Sequence, residues 1–416
     1  MMRGLNPQKF EPTVVFYASE DSFIEKRMRE CGVQARYLSQ DAGAGSPFIS
    51  APAEPSTDDQ DTGRWLGTHL GAGASRTYHW LRAHYQYLKQ DRPRVRPLVR
   101  LIRDLEIDLL HFNNSLRSAK AAIRAARIAG IPCVCHVRGF TNLRPYDLKF
   151  ADSVDLFVYI SRAVEQNCHE QGIRTTGIVV HNVVDLDEYP DPDESRESAN
   201  AVRDEFGWAP GTPVVGVVGR LDWWKGHETF VQAVASATER VPNLKALIVG
   251  APVDSPLCRQ YHQDLLALIH NLGLEDKVIL TGFRSDVARL MSALDIVVLS
   301  SSTPEPFGRV VIEGMAAGKP VIATAAGGVL DIIRDGTDGR LIPIQDADAM
   351  SQALIDLLVD PQKAAAMGRA ARRRVEDKFT VPRQVAILQK VYGTLLDTPT
   401  RDRARIRWQQ VLDTPA

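Results

Sequence analysis

The chain has 416 residues and a mass of 46.0 kDa, too long for one hydrophobic core and enough for two domains of near 200 residues each. Hydrophobic residues make up 44% and charged ones 24%, with 29 glycines and 24 prolines, which excludes a collagen-like, disulfide-scaffold or wholly disordered chain. The 50 Lys and Arg nearly cancel the 51 Asp and Glu, so no global field draws the molecule to nucleic acid or to an anionic membrane, and any basic surface must be local.

The first residues, MMRGLNPQKFEPTVVFYA, hold no apolar signal core, and no run of about 18 apolar residues occurs anywhere. Five cysteines, Cys31, Cys133, Cys135, Cys168 and Cys258, lack CxxC spacing and match neither a disulfide framework nor a zinc site. A cytoplasmic protein is expected. In chain order, short Val- and Ile-rich runs at 13–17, 33–38, 109–112, 134–137, 156–160 and 178–181 read as one set of strands. A second set comes at 214–218, 244–249, 278–280, 296–299 and 321–323, with helical patterns such as 119–129, 228–239 and 265–272 between strands. Apolar strands alternating with helices predict parallel sheets covered on both faces, an α/β architecture built twice.

Prolines and charges in YPDPDESRESAN, 189–200, place the domain seam there, giving domains at 1–188 and 189–380 and C-terminal helices at 381–416. The helical stretch 347–396 has no strand of its own to cover and is expected to cross back to the first domain. The small, polar and Pro-rich segment 39–63 predicts a mobile loop. From 76 to 103 eight cations face only Asp91, with Tyr78, Trp80, Tyr85 and Tyr87 interleaved, a pattern suited to an anionic lipid surface, a phosphorylated acceptor or a solvated basic helix.

The segment SSSTPEPFGRVVIEGMAAGKPVIATAAGG, 300–328, reads as loop, helix and strand after the strand at 296–299. Glu305 lies in the loop, and Glu313 lies about two turns into a helix that starts near Phe307 or Gly308. Helical side chains lean toward their own N-terminus, so Glu313 is expected to reach back toward Glu305 over one small site. The free amides and dipole of that helix end suit a diphosphate. A second anion site comes after the strand at 214–218 in GRLDWWKG, where Arg220 is a bidentate donor, Lys225 a point charge, and Gly219 allows close backbone approach. Two decoys fail: GMAAGKP lacks the Walker spacing and hydroxyl, and LGAGASR, 70–76, lacks the third glycine of a dinucleotide loop.

The Glu305-x7-Glu313 motif, GR…KG at 219–226, NVVD at 182–185, GKPVIAT at 318–324 and the Gly327-Gly328 pair together resemble the retaining glycosyltransferases of family 4. The resemblance implies a GT-B fold, two Rossmann-like domains with parallel sheets facing a central cleft, the nucleotide-sugar held by the second domain and the acceptor by the first. It implies that Arg220 and Lys225 hold the diphosphate, Glu313 the ribose and Glu305 the donor sugar. Amides at Phe307, Gly308, Arg309 and Val310 would line sugar and phosphate, and Phe283 and Arg284 would meet the base. His136 would face the transferred sugar, with Arg138, Gly71 and Gly73 on the acceptor side. The glycine-rich turn usual after the first strand is replaced by Tyr-Ala-Ser-Glu-Asp at 17–21.

The reaction that the resemblance implies is transfer, with retention, from a UDP- or GDP-sugar to a saccharide, lipid-linked or small-metabolite acceptor. No cofactor or metal is expected, since cations and a helix dipole can replace one, and the DxD triplets at 185–187 and 346–348 read as loop or helix-start carboxylates. Peripheral contact with the inner membrane face through 76–103 belongs to the same expectation. A GT-B nucleotide-sugar 2-epimerase and a non-catalytic nucleotide-sugar binder are the alternative readings.

Overall fold

Short parallel strands make up each sheet, because βα repeats with apolar strands can bury both sheet faces only when helices return the chain to the same edge. The computed structural model describes residues 4–16, 34–37 and 72–413. The chain divides into two compact units, one of Met1–Ile160, Val164–Val180 and Val385–Ala416, the other of Ser161–Ala163 and His181–Gln384. The cut therefore falls at 180/181 and 384/385, not at 188/189 and 380/381. Locally the reason is packing: the His181 ring lies against Phe307 and Phe379, and the Gln384 side chain donates to the His181 carbonyl, so both ends of the segment belong to the second unit.

The first unit contains β1 (Thr13–Phe16) paired with β2 (Gln34–Tyr37). Helices α1 (Ala72–Gln86) and α2 (Arg92–Asp104) come next, joined by a π-helical turn at Tyr87–Asp91. A four-stranded sheet is then built from β3 (Leu110–Asn114), α3 (Lys120–Ala129), β4 (Cys133–Val137), β5 (Leu156–Tyr159), α4 (Arg162–Glu170) and β6 (Gly177–Val179), in the order β3-β4-β5-β6. Every residue of β4, Cys133 and Cys135 included, is buried. Val95, Leu98, Val99 and Ile102 of α2 pack on Ala121, Ala122 and Ala125 of α3. The expected turn at 17–21, the loop at 39–63, Cys31 and Gly71 lie outside the described residues. Gly73 falls in the first turn of α1, so 72–76 is helix and not a glycine loop.

The second unit runs α5 (Arg196–Glu205), β7 (Val214–Val218), α6 (His227–Thr238), β8 (Lys245–Val249), α7 (Pro256–Asn271), β9 (Val278–Gly282), α8 (Val287–Ala293) and β10 (Ile296–Leu299). It continues with α9 (Arg309–Ala316), β11 (Val321–Thr324), α10 (Val329–Ile332), β12 (Arg340–Ile342), α11 (Ala347–Leu358) and α12 (Pro361–Lys378). The helical tail of the chain is α13 (Val381–Asp397) and α14 (Trp408–Asp413). The six strands of the second sheet lie in the order β12-β11-β10-β7-β8-β9.

Two elements differ from expectation. Helix α7 begins at Pro256, where Ser255 accepts from the Cys258 amide and proline occupies the first turn, a start signal that precedes the apolar pattern at 265–272. The stretch from 347 does have a strand to cover: β12 pairs with β11, and Met350, Leu354 and Leu357 of α11 join Val234 of α6 and Ile322 and Ile342 of the sheet in one core. A three-residue strand opening on arginine carries too little apolar pattern to be read.

Leu354 is fully buried in that core, whereas Leu330 is more than half exposed. Leu354→Ala is expected to destabilise the chain by about 2–5 kcal/mol, and Leu330→Ala by less than about 0.5 kcal/mol, in urea unfolding monitored by far-UV circular dichroism. Equal midpoints for the two variants would remove α11 from the core.

Candidate active site

The strand order reverses between β10 and β7, so the loops that leave their carboxyl ends diverge from a crevice, the place where open α/β sheets hold ligands. The loop after β7 carries Gly219 to Gly226 and the loop after β10 carries Ser300 to Gly308, and the two meet. Lys225 Nζ lies 2.6 Å from Glu305 Oε1, a largely buried ion pair. The Ser301 hydroxyl donates to the same Glu305 oxygen at 2.7 Å, and the Ser300 hydroxyl donates to the Lys225 carbonyl at 2.9 Å. The Ser302 amide donates to the Trp224 carbonyl at 2.9 Å. Lys225 Nζ also sits 4.0 Å from the centroid of the Trp224 ring, a cation–π contact. A lysine ammonium has three protons. One is taken by Glu305, which leaves donors for a phosphate.

Glycines allow these loops to approach so closely. Gly226 has φ +64°, and a Cβ there would lie 2.1 Å from the Ser300 carbonyl oxygen, so no other residue fits. Behind Glu305 the Gly327-Gly328 pair forms a wall: a Cβ on Gly327 would sit 2.1 Å from the Glu305 carbonyl oxygen, and the Gly328 amide donates to that oxygen at 2.7 Å. Gly308 caps α9 with no side-chain hydrogen bond, which leaves the helix start to a ligand.

The other expected residues divide. Arg220 is exposed, and its nearest carboxylate, Asp222, is 3.9 Å away. Glu313 is mostly buried and is paired with the exposed Arg309 at 2.8 Å, one turn earlier on α9. Burial outweighs that arginine and raises its pKa above the ordinary glutamate value. The Phe307 ring is packed between His181 and Phe379, and Val310 is buried, so neither side chain is free to meet a donor. Phe283 is 80% exposed. The Arg284 guanidinium is held by Asp286 at 2.7 Å and Glu205 at 2.6 Å.

In the first unit His136 is buried, with Arg138 Nη1 at 3.4 Å from its Nε2 and the His111 ring at 5.4 Å. Since an arginine only donates, Nε2 is the acceptor and Nδ1 carries the proton. Burial, with His111 and Arg138 nearby, holds the His136 pKa well below 6.5, so it is neutral at pH 7. The motifs do not single out His111, whose Nδ1 lies 2.6 Å from the Tyr392 hydroxyl, or the serines at 300–302; their positions beside recognised motifs are the available signal. Of the DxD triplets, Asp185 and Asp346 accept backbone amides at helix starts. Among the described residues no cluster of three or more His, Cys, Asp or Glu is arranged to hold a metal.

The fold and this crevice are those of the α/β proteins that hold a ligand at the strand-order switch point, and comparison with known proteins makes the assignment. Residues 198–374 match the family model of glycosyl transferases group 1, and residues 48–188 that of glycosyltransferase family 4. Both models are of glycosyltransferases, and the chain is a glycosyltransferase made of these two family domains. It is 26% identical over 327 residues to an N-acetyl-alpha-D-glucosaminyl L-malate synthase of Bacillus anthracis, covering 75% of this chain and 81% of that one. To a D-inositol 3-phosphate glycosyltransferase of Mycobacteroides abscessus it is 36% identical over 195 residues, 46% of this chain and 41% of that protein. The solved structure of Anabaena HepE in complex with UDP-glucose matches with a TM-score of 0.71 and 24% identity over 93% of both chains, establishing the GT-B fold.

Glu313 generates a prediction. A folded-state pKa raised above 4.5 means the native protein binds more protons than the unfolded chain between the two pKa values, so stability falls as pH rises through that window and stays lower above it. Glu313→Gln is therefore expected to raise the Tm at pH 7, with the gain vanishing below about pH 4, in thermal unfolding across pH. A lower Tm at pH 7 would show that the Arg309 pair outweighs burial.

Proposed function

We propose that the protein transfers a sugar, with retention of anomeric configuration, from a nucleoside diphosphate sugar to a hydroxyl acceptor. The observation that carries this reading is the Lys225–Glu305 pair at the crevice between β7 and β10, with the exposed Arg220 and the open start of α9 beside it. Cations and amides at a strand-end crevice suit a diphosphate, and buried carboxylates suit sugar and ribose hydroxyls. Solved structures of HepE with UDP and with UDP-glucose support a UDP-sugar donor over a GDP-sugar. Relatives named for malate and inositol 3-phosphate support a small-metabolite acceptor, with saccharide and lipid-linked acceptors as the other outcomes of a substrate panel.

In the proposed reaction the acceptor oxygen attacks the anomeric carbon as the bond from that carbon to the diphosphate breaks. The acceptor proton passes to the leaving phosphate oxygen, and nucleoside diphosphate departs. Arg220, two Lys225 protons and the start of α9 stabilise the charge growing on the phosphate, a role worth several kcal/mol at a water-poor site. Glu305 is tied to Lys225 and Ser301, which supports binding and positioning over covalent attack, and the scheme needs no metal. Neutral His136 suits a hydrogen bond to the sugar and not a charge contact.

The basic stretch takes a sharper form. Trp80 and Tyr87 pack against Tyr146, and Tyr87 against Phe150, so these half-buried rings are turned to neighbouring side chains. The exposed edge instead runs Leu81, Tyr85 and Leu88, 55%, 61% and 38% exposed, then the exposed Lys89, Arg92, Arg96, Arg100 and Arg103. No helix of the described residues is long and apolar enough to cross a membrane. Apolar residues leading into five cations on one helical edge support peripheral contact with an anionic bilayer, at about 1 kcal/mol per cation.

Lys225→Ala is expected to abolish transfer and UDP binding while the circular dichroism spectrum stays unchanged; near-normal turnover would refute the site. Stability measured at 100 times the UDP dissociation constant should rise by about 2.7 kcal/mol in the wild type and not in Lys225→Ala. Release of a 2-epimerised sugar without acceptor would replace transfer by epimerisation. The membrane reading predicts co-sedimentation with phosphatidylglycerol vesicles at moderate salt, lost in Arg92→Glu/Arg96→Glu/Arg100→Glu; identical sedimentation of the two proteins would remove it.

A further inference from the structure

We propose that Tyr261 is a positioning residue for the donor-diphosphate clamp, acting through the amino end of α6. This rests on the reading that Lys225 holds the diphosphate. The problem it solves begins at Gly226, the N-cap of α6. Helix starts leave amides without partners, and a Ser, Thr, Asp or Asn at the N-cap usually takes one of them. Position 226 admits no side chain, because a Cβ would collide with the Ser300 carbonyl. The cap has to come from elsewhere.

Tyr261, in the second turn of α7, supplies it. Its hydroxyl oxygen accepts the His227 amide at 3.1 Å and donates its proton to Glu228 Oε2. The His227 Nδ1 lies 3.2 Å from the same oxygen. A tyrosine oxygen has one proton and two lone pairs. With the proton given to Glu228 and one lone pair taken by the His227 amide, the other accepts Nδ1–H, so the three contacts satisfy the hydroxyl and fix the His227 tautomer. His227 is fully buried, and desolvation lowers its pKa to about 4, so the ring remains neutral beside Lys225. Burial and the Glu228 carboxylate push the Tyr261 pKa up, which keeps its proton in place as the donor.

The consequence reaches the clamp through two peptide bonds. Lys225 immediately precedes Gly226, and its carbonyl is held on the opposite side by the Ser300 hydroxyl at 2.9 Å. The lysine backbone is thus pinned from the β10 loop on one side and from α7, through Tyr261 and the first turn of α6, on the other. Removing the α7 anchor frees the backbone that aims the ammonium without touching the ammonium itself.

The test is UDP titration by calorimetry together with steady-state kinetics on the full chain. Tyr261→Phe keeps the ring beside His227 and removes only the hydroxyl; it is expected to raise the UDP dissociation constant and donor KM about tenfold, leaving the acceptor KM unchanged. Glu228→Ala should match it, and Glu228→Gln, which keeps an acceptor oxygen, should recover most of the lost affinity. The double variant Tyr261→Phe/Glu228→Ala should be no worse than either single one, since both break one network. Wild-type UDP affinity in Tyr261→Phe alongside lost affinity in Lys225→Ala would overturn the role of Tyr261. Equal losses toward donor and acceptor would reduce it to general stability. Wild-type affinity in Lys225→Ala would overturn the clamp itself.

Discussion

A lysine and a glutamate 80 positions apart meet at 2.6 Å where two neighbouring strands end, and the second unit's site is arranged around that pair. Two charges taken largely out of water cost more than their attraction returns unless the geometry is good and the remaining donors and acceptors are occupied. Here Ser301 shares the carboxylate, Trp224 lies under the ammonium and backbone contacts hold both loops, while the remaining ammonium protons stay for a ligand. Gly226 is then a packing requirement of the pair, since a side chain there would push the two loops apart, and Gly327 and Gly328 let the loop after β11 pack directly on the backbone of 305–307.

The pair also sets the electrostatics of the proposed donor site. Lys225 is neutralised by Glu305, and Arg220 has Asp222 nearby, so the cations that would grip a diphosphate stand already matched by carboxylates. A whole-chain charge of −1 conceals this arrangement as well as the cationic edge of α2. Electrostatic preorganisation of this kind holds donors at fixed positions before ligand arrives, so little reorganisation remains when charge moves onto the leaving phosphate. In the first unit a different logic holds: His136 and His111 are buried and uncharged beside Arg138, which suits neutral hydrogen bonding to hydroxyls.

The architecture and most of the site are legible in the residues because parallel α/β sheets announce themselves as apolar runs, and because the strands 214–218 and 296–299 stop where polar, glycine-rich loops begin. Contacts across long sequence separations are not. Nothing local says that Arg284 is held by Glu205, that Glu305 pairs with Lys225, or that Tyr146 collects Trp80 and Tyr87 into an aromatic cluster. Spacing puts Glu313 about two turns into a helix, but the helix starts at Arg309 and Glu313 lies one turn in, beside Arg309, which the motif marks for its backbone alone. The cap supplied by Tyr261 is invisible for the same reason, since a tyrosine in an amphipathic helix looks like any other half-buried aromatic.

The central claim is that the nucleoside diphosphate is gripped where the loops after β7 and β10 meet, and hydrogen–deuterium exchange of the full chain with and without UDP tests it most directly. The account predicts slowed exchange confined to the amides of 219–228 and 305–313, with the remainder of the second sheet unchanged. Protection that leaves both segments untouched and falls elsewhere in the chain would contradict it.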